Sequence, residues 1–142
     1  MTTIRKEIAL NVSPEHVWDA VKDVGAFHLR LVPGYTENTL LEGNVRTLIL
    51  PNGDSVRELI VAVDDNERRM VFAVKEGRMP LLHHNASFQV FPNETNSSTL
   101  VWTTDFLPEE LGKMIQDQVD RVSEVMKHTI EAAAKKESQH SD

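Results

Sequence analysis

PEELGKMIQDQVDRVSEVMKHTIEAA, residues 108–133, is the stretch on which the fold turns. Leu111, Ile115, Val119, Val122, Met126, Thr129 and Ala133 recur at steps of three or four, and Lys113, Asp117, Asp120, Arg121, Glu124 and Lys127 fall on the other side. This is the spacing of an amphipathic helix of about six turns or more, with an apolar stripe wide enough to lie on a sheet. Pro108 closes the segment before it. Lys135 to Asp142 reads as a polar, frayed tail.

Upstream, from Tyr35 to Phe106, the signals are nearly all strand and turn. Gly43-Asn44, Pro51-Asn52-Gly53-Asp54, Asp64-Asp65-Asn66 and Pro92 to Ser98 punctuate β-rich runs at Val45–Leu50, Val56–Val63, Met70–Lys75, His83–Phe91 and Thr99–Phe106. Connections this short predict consecutive antiparallel hairpins, because a parallel crossover takes a dozen or more residues. Nearer the N-terminus, Thr3 to Val12 alternates, with Ile4, Ile8, Leu10 and Val12 on one face and Lys6 its polar exception. Ser13-Pro14 opens a short helix, Ser13 as cap and Pro14 at the first helical position, with Val17, Trp18 and Val21 inward. Gly25 breaks that helix, and Ala26 to Leu31 forms a second before Pro33-Gly34. The order is strand, two short helices, about six strands and one long helix. It predicts an α+β fold: a curved antiparallel sheet of about seven strands wrapped on the C-terminal helix. Residues 1–136 are expected to form one domain and 137–142 a disordered tail.

Composition narrows the function. The 142 residues are 40% apolar and 26% charged, which is globular material for one domain. A net charge of -7 disfavours nucleic acid and anionic membrane surfaces as partners. No apolar run approaches the ~20 residues that span a bilayer, so stable membrane insertion is not expected. The first ten residues lack a signal-peptide core, and a cytoplasmic location is expected. With no cysteine there is no thiolate metal site, disulfide or cysteine nucleophile. His83-His84 looks like a metal pair, but neighbouring strand residues point to opposite faces, so neither a metal nor any other cofactor is expected. A monomer or homodimer is expected.

The element order, with Ser13-Pro14-x-x-Val17-Trp18, Leu41 to Leu48, Leu50-Pro51-Asn52-Gly53, Val56-Arg57-Glu58, Asp64-Asp65, Pro80-Leu81 and Trp102-x-x-x-Phe106-x-Pro108, resembles the START-like (SRPBCC) superfamily. Its polyketide cyclase/dehydrase branch is the most similar. The resemblance runs from about Ile4 to Ile130 and implies the helix-grip fold, with a hollow between sheet and helix. Glu58 and His84 resemble cavity positions of plant abscisic-acid receptors in that superfamily, and the loop Leu50–Gly53 matches their gate in position. Their His-Arg-Leu latch is absent, and Arg78-Met79-Pro80 stands nearby.

Strand parity picks residues for such a hollow. Arg46, Leu48 and Leu50 share a face; so do Val56, Glu58, Ile60 and Ala62, then Phe72 and Val74, then His84, Ala86, Phe88 and Val90. A three-residue bulged loop at Asn52-Gly53-Asp54 would pair Leu48 with Glu58 and set Arg46 diagonally from that carboxylate. Arg46, Leu48, Glu58, Ile60, Phe72, Val74, His84, Ala86, Phe88, Val122 and Met126 are the expected ligand-binding residues, with Met114 a further candidate. Glu58 and His84 are the candidates for acid-base work, against plainer readings as an ion pair and a space-filling ring. Asp105 and Thr103 share the less apolar parity of the last strand, whose facing the sequence leaves open.

The first expectation is therefore non-covalent binding of a small, mostly hydrophobic molecule: a lipid, polyketide or aromatic metabolite. One alternative is a cyclase or dehydratase in which Glu58 or His84 moves a proton. Another is a co-chaperone-like interaction module with a filled core.

Overall fold

Ser13, three residues past the end of the first strand, starts the first helix. Its hydroxyl accepts the His16 backbone N–H at 3.3 Å, and Pro14 takes the first helical position. The computed structural model describes residues 2–140. In chain order they form β1 (Thr2–Leu10), α1 (Pro14–Lys22), a 3₁₀ turn (Val24–Ala26), α2 (Phe27–Arg30), β2 (Asn38–Glu42), β3 (Val45–Ile49), β4 (Ser55–Asp64), β5 (Arg69–Glu76), β6 (His83–Pro92), β7 (Ser98–Leu107), a 3₁₀ turn (Glu109–Leu111) and α3 (Gly112–His140). This is the helix-grip fold, with the two short helices after β1 as expected.

The strands make one seven-stranded sheet in the order β1-β7-β6-β5-β4-β3-β2, antiparallel throughout. All but one neighbouring pair are hairpins, and β1 closes the far edge against β7. The long helix is fastened along β1. Lys6 Nζ donates to Asp120 Oδ1 at 3.0 Å, Lys127 Nζ donates to the Ala9 carbonyl, and the Asn11 N–H donates to Glu131 Oε2 at 3.1 Å. Lys6, the polar exception on β1, is thus the strand's tie to the helix.

The core lies between sheet and helices. A larger cluster joins Leu10, Val17, Leu31, Leu48, Phe72, Phe88, Val122 and Met126, among others. A smaller one joins Ile4, Phe106, Leu111, Ile115 and Val119, and Trp102 packs against both. The helical stripe holds as far as Met126 and then follows the four-residue step. Ile130 is buried and Ala134 packs on the core, while Thr129 is half-buried and Ala133 is exposed. Met114 is 55% exposed and contributes nothing to the interior. α3 continues past Lys135 to His140; residues 141 and 142, the end of the expected tail, lie outside the described residues.

Two local features shift the strand reading. The β3–β4 loop is centred one residue earlier than expected: the Leu50 N–H donates to the Asp54 carbonyl, and Gly53, at φ +90, donates to the Leu50 carbonyl. Leu48 therefore pairs with Val56, and Arg46 stands directly opposite Glu58 rather than diagonal to it. An irregularity at Val61 then breaks the parity of β4. Ile60 pairs with Phe72 but Ala62 with Val71, and Ala62 is turned out to solvent.

Candidate functional site

Register lines up a set of side chains across the inner face of the sheet. Leu41 pairs with Arg46, Arg46 with Glu58, Glu58 with Val74, and farther on His84 with Phe106. The row carries three polar groups across an apolar surface. Each arises from simple alternation: Arg46 two residues before Leu48, Glu58 between Val56 and Ile60, and His84 two residues before Ala86.

Arg46 is wholly buried, and Glu58 is 5% exposed. Arg46 Nε and Nη2 both donate to Glu58 Oε1, at 2.9 and 2.5 Å, and Nη1 lies 3.4 Å from the Val24 carbonyl oxygen. Aromatic rings take the rest of the guanidinium. Its central carbon is 4.5 Å from the centre of the Phe27 ring and 5.4 Å from that of Phe72. Burial pushes the Glu58 carboxyl up from its ordinary range, and the charge and hydrogen bonds of Arg46 pull against that.

His84 stands where the sheet loosens. β5 and β6 pair from Arg69↔Gln89 to Phe72↔Ala86, yet β5 runs on to Glu76 and β6 begins at His83. The His84 ring occupies that seam. The Val74 backbone N–H donates to Nδ1 at 3.0 Å, which places the ring proton of neutral His84 on Nε2, 3.3 Å from Thr104 Oγ1. Burial drives its pKa down to about 4, with His83 adding to the fall and Asp105 opposing it. His84 is therefore neutral near pH 7, and its ring centre lies 5.9 Å from that of Phe72.

A cleft of about 600 Å³ opens over this seam, lined by Val74, Gly77, Met79, Leu81, His84 and Asn85 among others. Of the expected ligand-binding residues, Val74 and His84 border it. Leu48, Phe72, Ala86, Phe88, Val122 and Met126 pack together in the larger core cluster, and Ile60 packs against its edge. A second cleft, of about 800 Å³, follows edge strand β2 past Thr39, Leu41, Thr47 and Arg57 and touches none of the candidates.

Asp105 lies on the other face from the core, where it accepts from the Thr3 hydroxyl at 2.5 Å; the inward parity of β7 is Leu100, Trp102, Thr104 and Phe106. Sequence reasoning missed Phe27 and Thr104. Phe27 sits just beyond a helix break and belonged to no strand pattern. Thr104 was legible as the polar member of an otherwise apolar parity. Among the described residues no group of three or more His, Asp or Glu is placed to hold a metal ion, and His83 and His84 turn to different sides.

Solved structures bear on the fold. A Bacillus cereus protein named XoxI superposes with a TM-score of 0.82 at 22% identity, covering 99% of this chain and 100% of that one. An uncharacterised Bacillus thuringiensis protein gives 0.83 at 21% identity, covering 91% and 98%. Norcoclaurine synthase from Thalictrum flavum, as a point mutant with a transition-state analogue, gives 0.75 at 18% identity, covering 96% of each chain. No curated protein sequence matches. Among the described residues no helix is long and apolar enough to cross a membrane. A family model described as polyketide cyclase / dehydrase and lipid transport matches residues 1–138, and with it a fold that binds hydrophobic ligands; the chain belongs to that family.

Proposed function

We propose that this protein binds a small, mostly apolar molecule (a lipid, a polyketide or an aromatic metabolite) non-covalently between its sheet and α3, with the molecule's polar group against the row of Arg46, Glu58 and His84. The observation that carries the reading is the ion pair itself. Two charges buried between aromatic rings stabilise a fold poorly compared with apolar residues of the same size. They do place fixed polar atoms on an apolar lining, which is the make-up of a ligand site. Glu58 receives both Arg46 bonds on Oε1, so its second oxygen is the acceptor for a ligand hydroxyl. The cleft over the β5–β6 seam falls within the usual size range of ligand pockets, about 300–1,000 Å³. It is the route in, with His84 as the side chain that moves aside. The norcoclaurine synthase of like fold is seen with dopamine and hydroxybenzaldehyde, both of a size the cleft accepts.

Catalysis fits the geometry less well, because both ring nitrogens of His84 are engaged and proton transfer by it first breaks one of those bonds. A thermal-shift screen of lipids, flavonoids and aromatic polyketides tests the binding reading. At least one class raises the melting temperature, by the equivalent of about 2.7 kcal/mol at a hundred times its Kd, and Glu58→Ala or Phe72→Trp shrinks the shift. A melting temperature indifferent to every class contradicts the reading. Turnover that Glu58→Gln abolishes while binding survives would make the protein an enzyme instead.

A further inference from the structure

Three buried side-chain atoms have no hydrogen-bond partner among the described residues: Thr36 Oγ1, Trp102 Nε1 and Ser123 Oγ. Such atoms are few in folded proteins, and each costs about 1–3 kcal/mol when left unpaired. Two of the three belong together. Trp102 pairs in register with Lys6, and Lys6 reaches across to Asp120 on α3, one turn before Ser123. Trp102 also packs against both core clusters, and these take Val119, Val122 and Met126, the apolar neighbours of Ser123 on α3. Both orphan atoms therefore belong to the interior between the sheet and α3, where the two clusters meet.

Neither is unpaired for want of an ordinary solution. The other indole, Trp18, donates to Asp65 Oδ1 at 2.8 Å. Thr129, farther along the same helix, turns its hydroxyl back to the Val125 carbonyl at 2.7 Å, the usual resort of a helical hydroxyl. Ser123 is 2% exposed and does not do so.

We propose that Trp102 Nε1 and Ser123 Oγ form a polar subsite for the bound molecule, receiving an uncharged acceptor oxygen such as a ketone or ester carbonyl. This rests on the ligand-binding reading above and adds the chemical class of the ligand's far end. An indole N–H only donates, and a hydroxyl donates readily beside it, so the pair selects an acceptor. Lys6, the register partner of Trp102, is already paired with Asp120. A carboxylate or ammonium would enter an apolar space uncompensated.

The test uses the whole chain, labelled with ¹⁵N, and two probes that differ by one carbonyl: 2-acetylnaphthalene and 2-ethylnaphthalene. The protein has two tryptophans, so two indole N–H signals are seen, and Trp102→Phe assigns them. The ketone moves the Trp102 signal downfield and the hydrocarbon does not. The ketone binds about ten-fold more tightly than the hydrocarbon, and Ser123→Ala and Trp102→Phe each remove most of that preference without weakening the hydrocarbon. Ser123→Ala does not lower the melting temperature, since it removes an unpaired polar atom. Equal affinity for the two probes with an unmoved indole signal overturns the subsite and leaves the ligand-binding reading standing. A Ser123→Ala variant that melts lower and loses both probes alike marks a structural serine, and also overturns it. Failure of both probes to bind the unaltered protein overturns both proposals.

Discussion

His84 takes the Val74 N–H on one nitrogen and offers its proton to Thr104 from the other, so the sheet is held together at this point by the neutral ring. Its folded-state pKa, about 4, lies below the ordinary 6.5. The unfolded chain thus takes up a proton first as pH falls, and stability that is complete above about pH 6.5 is lost on the way to pH 4. The slope approaches about 1.4 kcal/mol per pH unit, roughly 3 kcal/mol over the window. Urea midpoints measured from about pH 7 to about pH 5 show this fall, and His84→Gln flattens it; an unchanged slope would assign the pH dependence to other groups. Arg46 and Glu58 behave differently. Arg46→Met strands a buried carboxylate and costs about 3–5 kcal/mol, whereas Arg46→Met with Glu58→Leu recovers most of the loss. Chemical denaturation of both variants checks this, and equal losses would mean that the pair is worth more than its apolar replacement. At this scale alternation alone put Arg46, Glu58 and His84 on the inner face. It could not supply Phe27, whose place against the guanidinium depends on how α2 packs on the sheet edge at β2.

Among the elements, the weak place is the β5–β6 hairpin. Its pairing ends at Phe72↔Ala86 while both strands continue, and the cleft lies over the gap. Amides of residues 77–79, which join no ladder, should exchange with deuterium well before those of 69–72 and 86–90, which sit in the paired part of the hairpin. Uniform protection along the hairpin would remove the proposed entrance. At the other end of the chain, Ser13→Ala should cost about 1 kcal/mol through loss of the α1 cap, read from thermal or urea unfolding. Strands and helices were legible because their periods differ and their turns carry Gly, Pro and Asn. The pairing of β3 with β4 was not, because Leu50 to Asp54 holds several residues able to turn, and choosing among them moved the register by two. A two-residue slip keeps every side chain on its face, so the inward set survived while the Arg46–Glu58 contact came out direct. The irregularity at Val61 left no mark in the pattern, and it is what turned Ala62 outward.

For the whole molecule, the order of elements was enough to give the architecture, since one long apolar-striped helix after a run of hairpins has few other ways to bury its stripe. How tightly the inner face closes was not legible. That depends on the curvature of the sheet and on side-chain packing around Phe72, Phe88 and Met126, all of which lie in one cluster. The function proposed here asks that this cluster part near the β5–β6 seam to admit a molecule beside the polar row. Native mass spectrometry addresses that most directly, applied to the unaltered protein and to Phe72→Trp, each mixed with the compound that stabilises the protein best in the thermal screen. Binding beside the polar row gives one adduct per chain for the unaltered protein and its loss in Phe72→Trp, where the larger ring fills the space beside His84 and Arg46. An unaltered protein that carries no adduct, or an adduct equally abundant on both proteins, would contradict it.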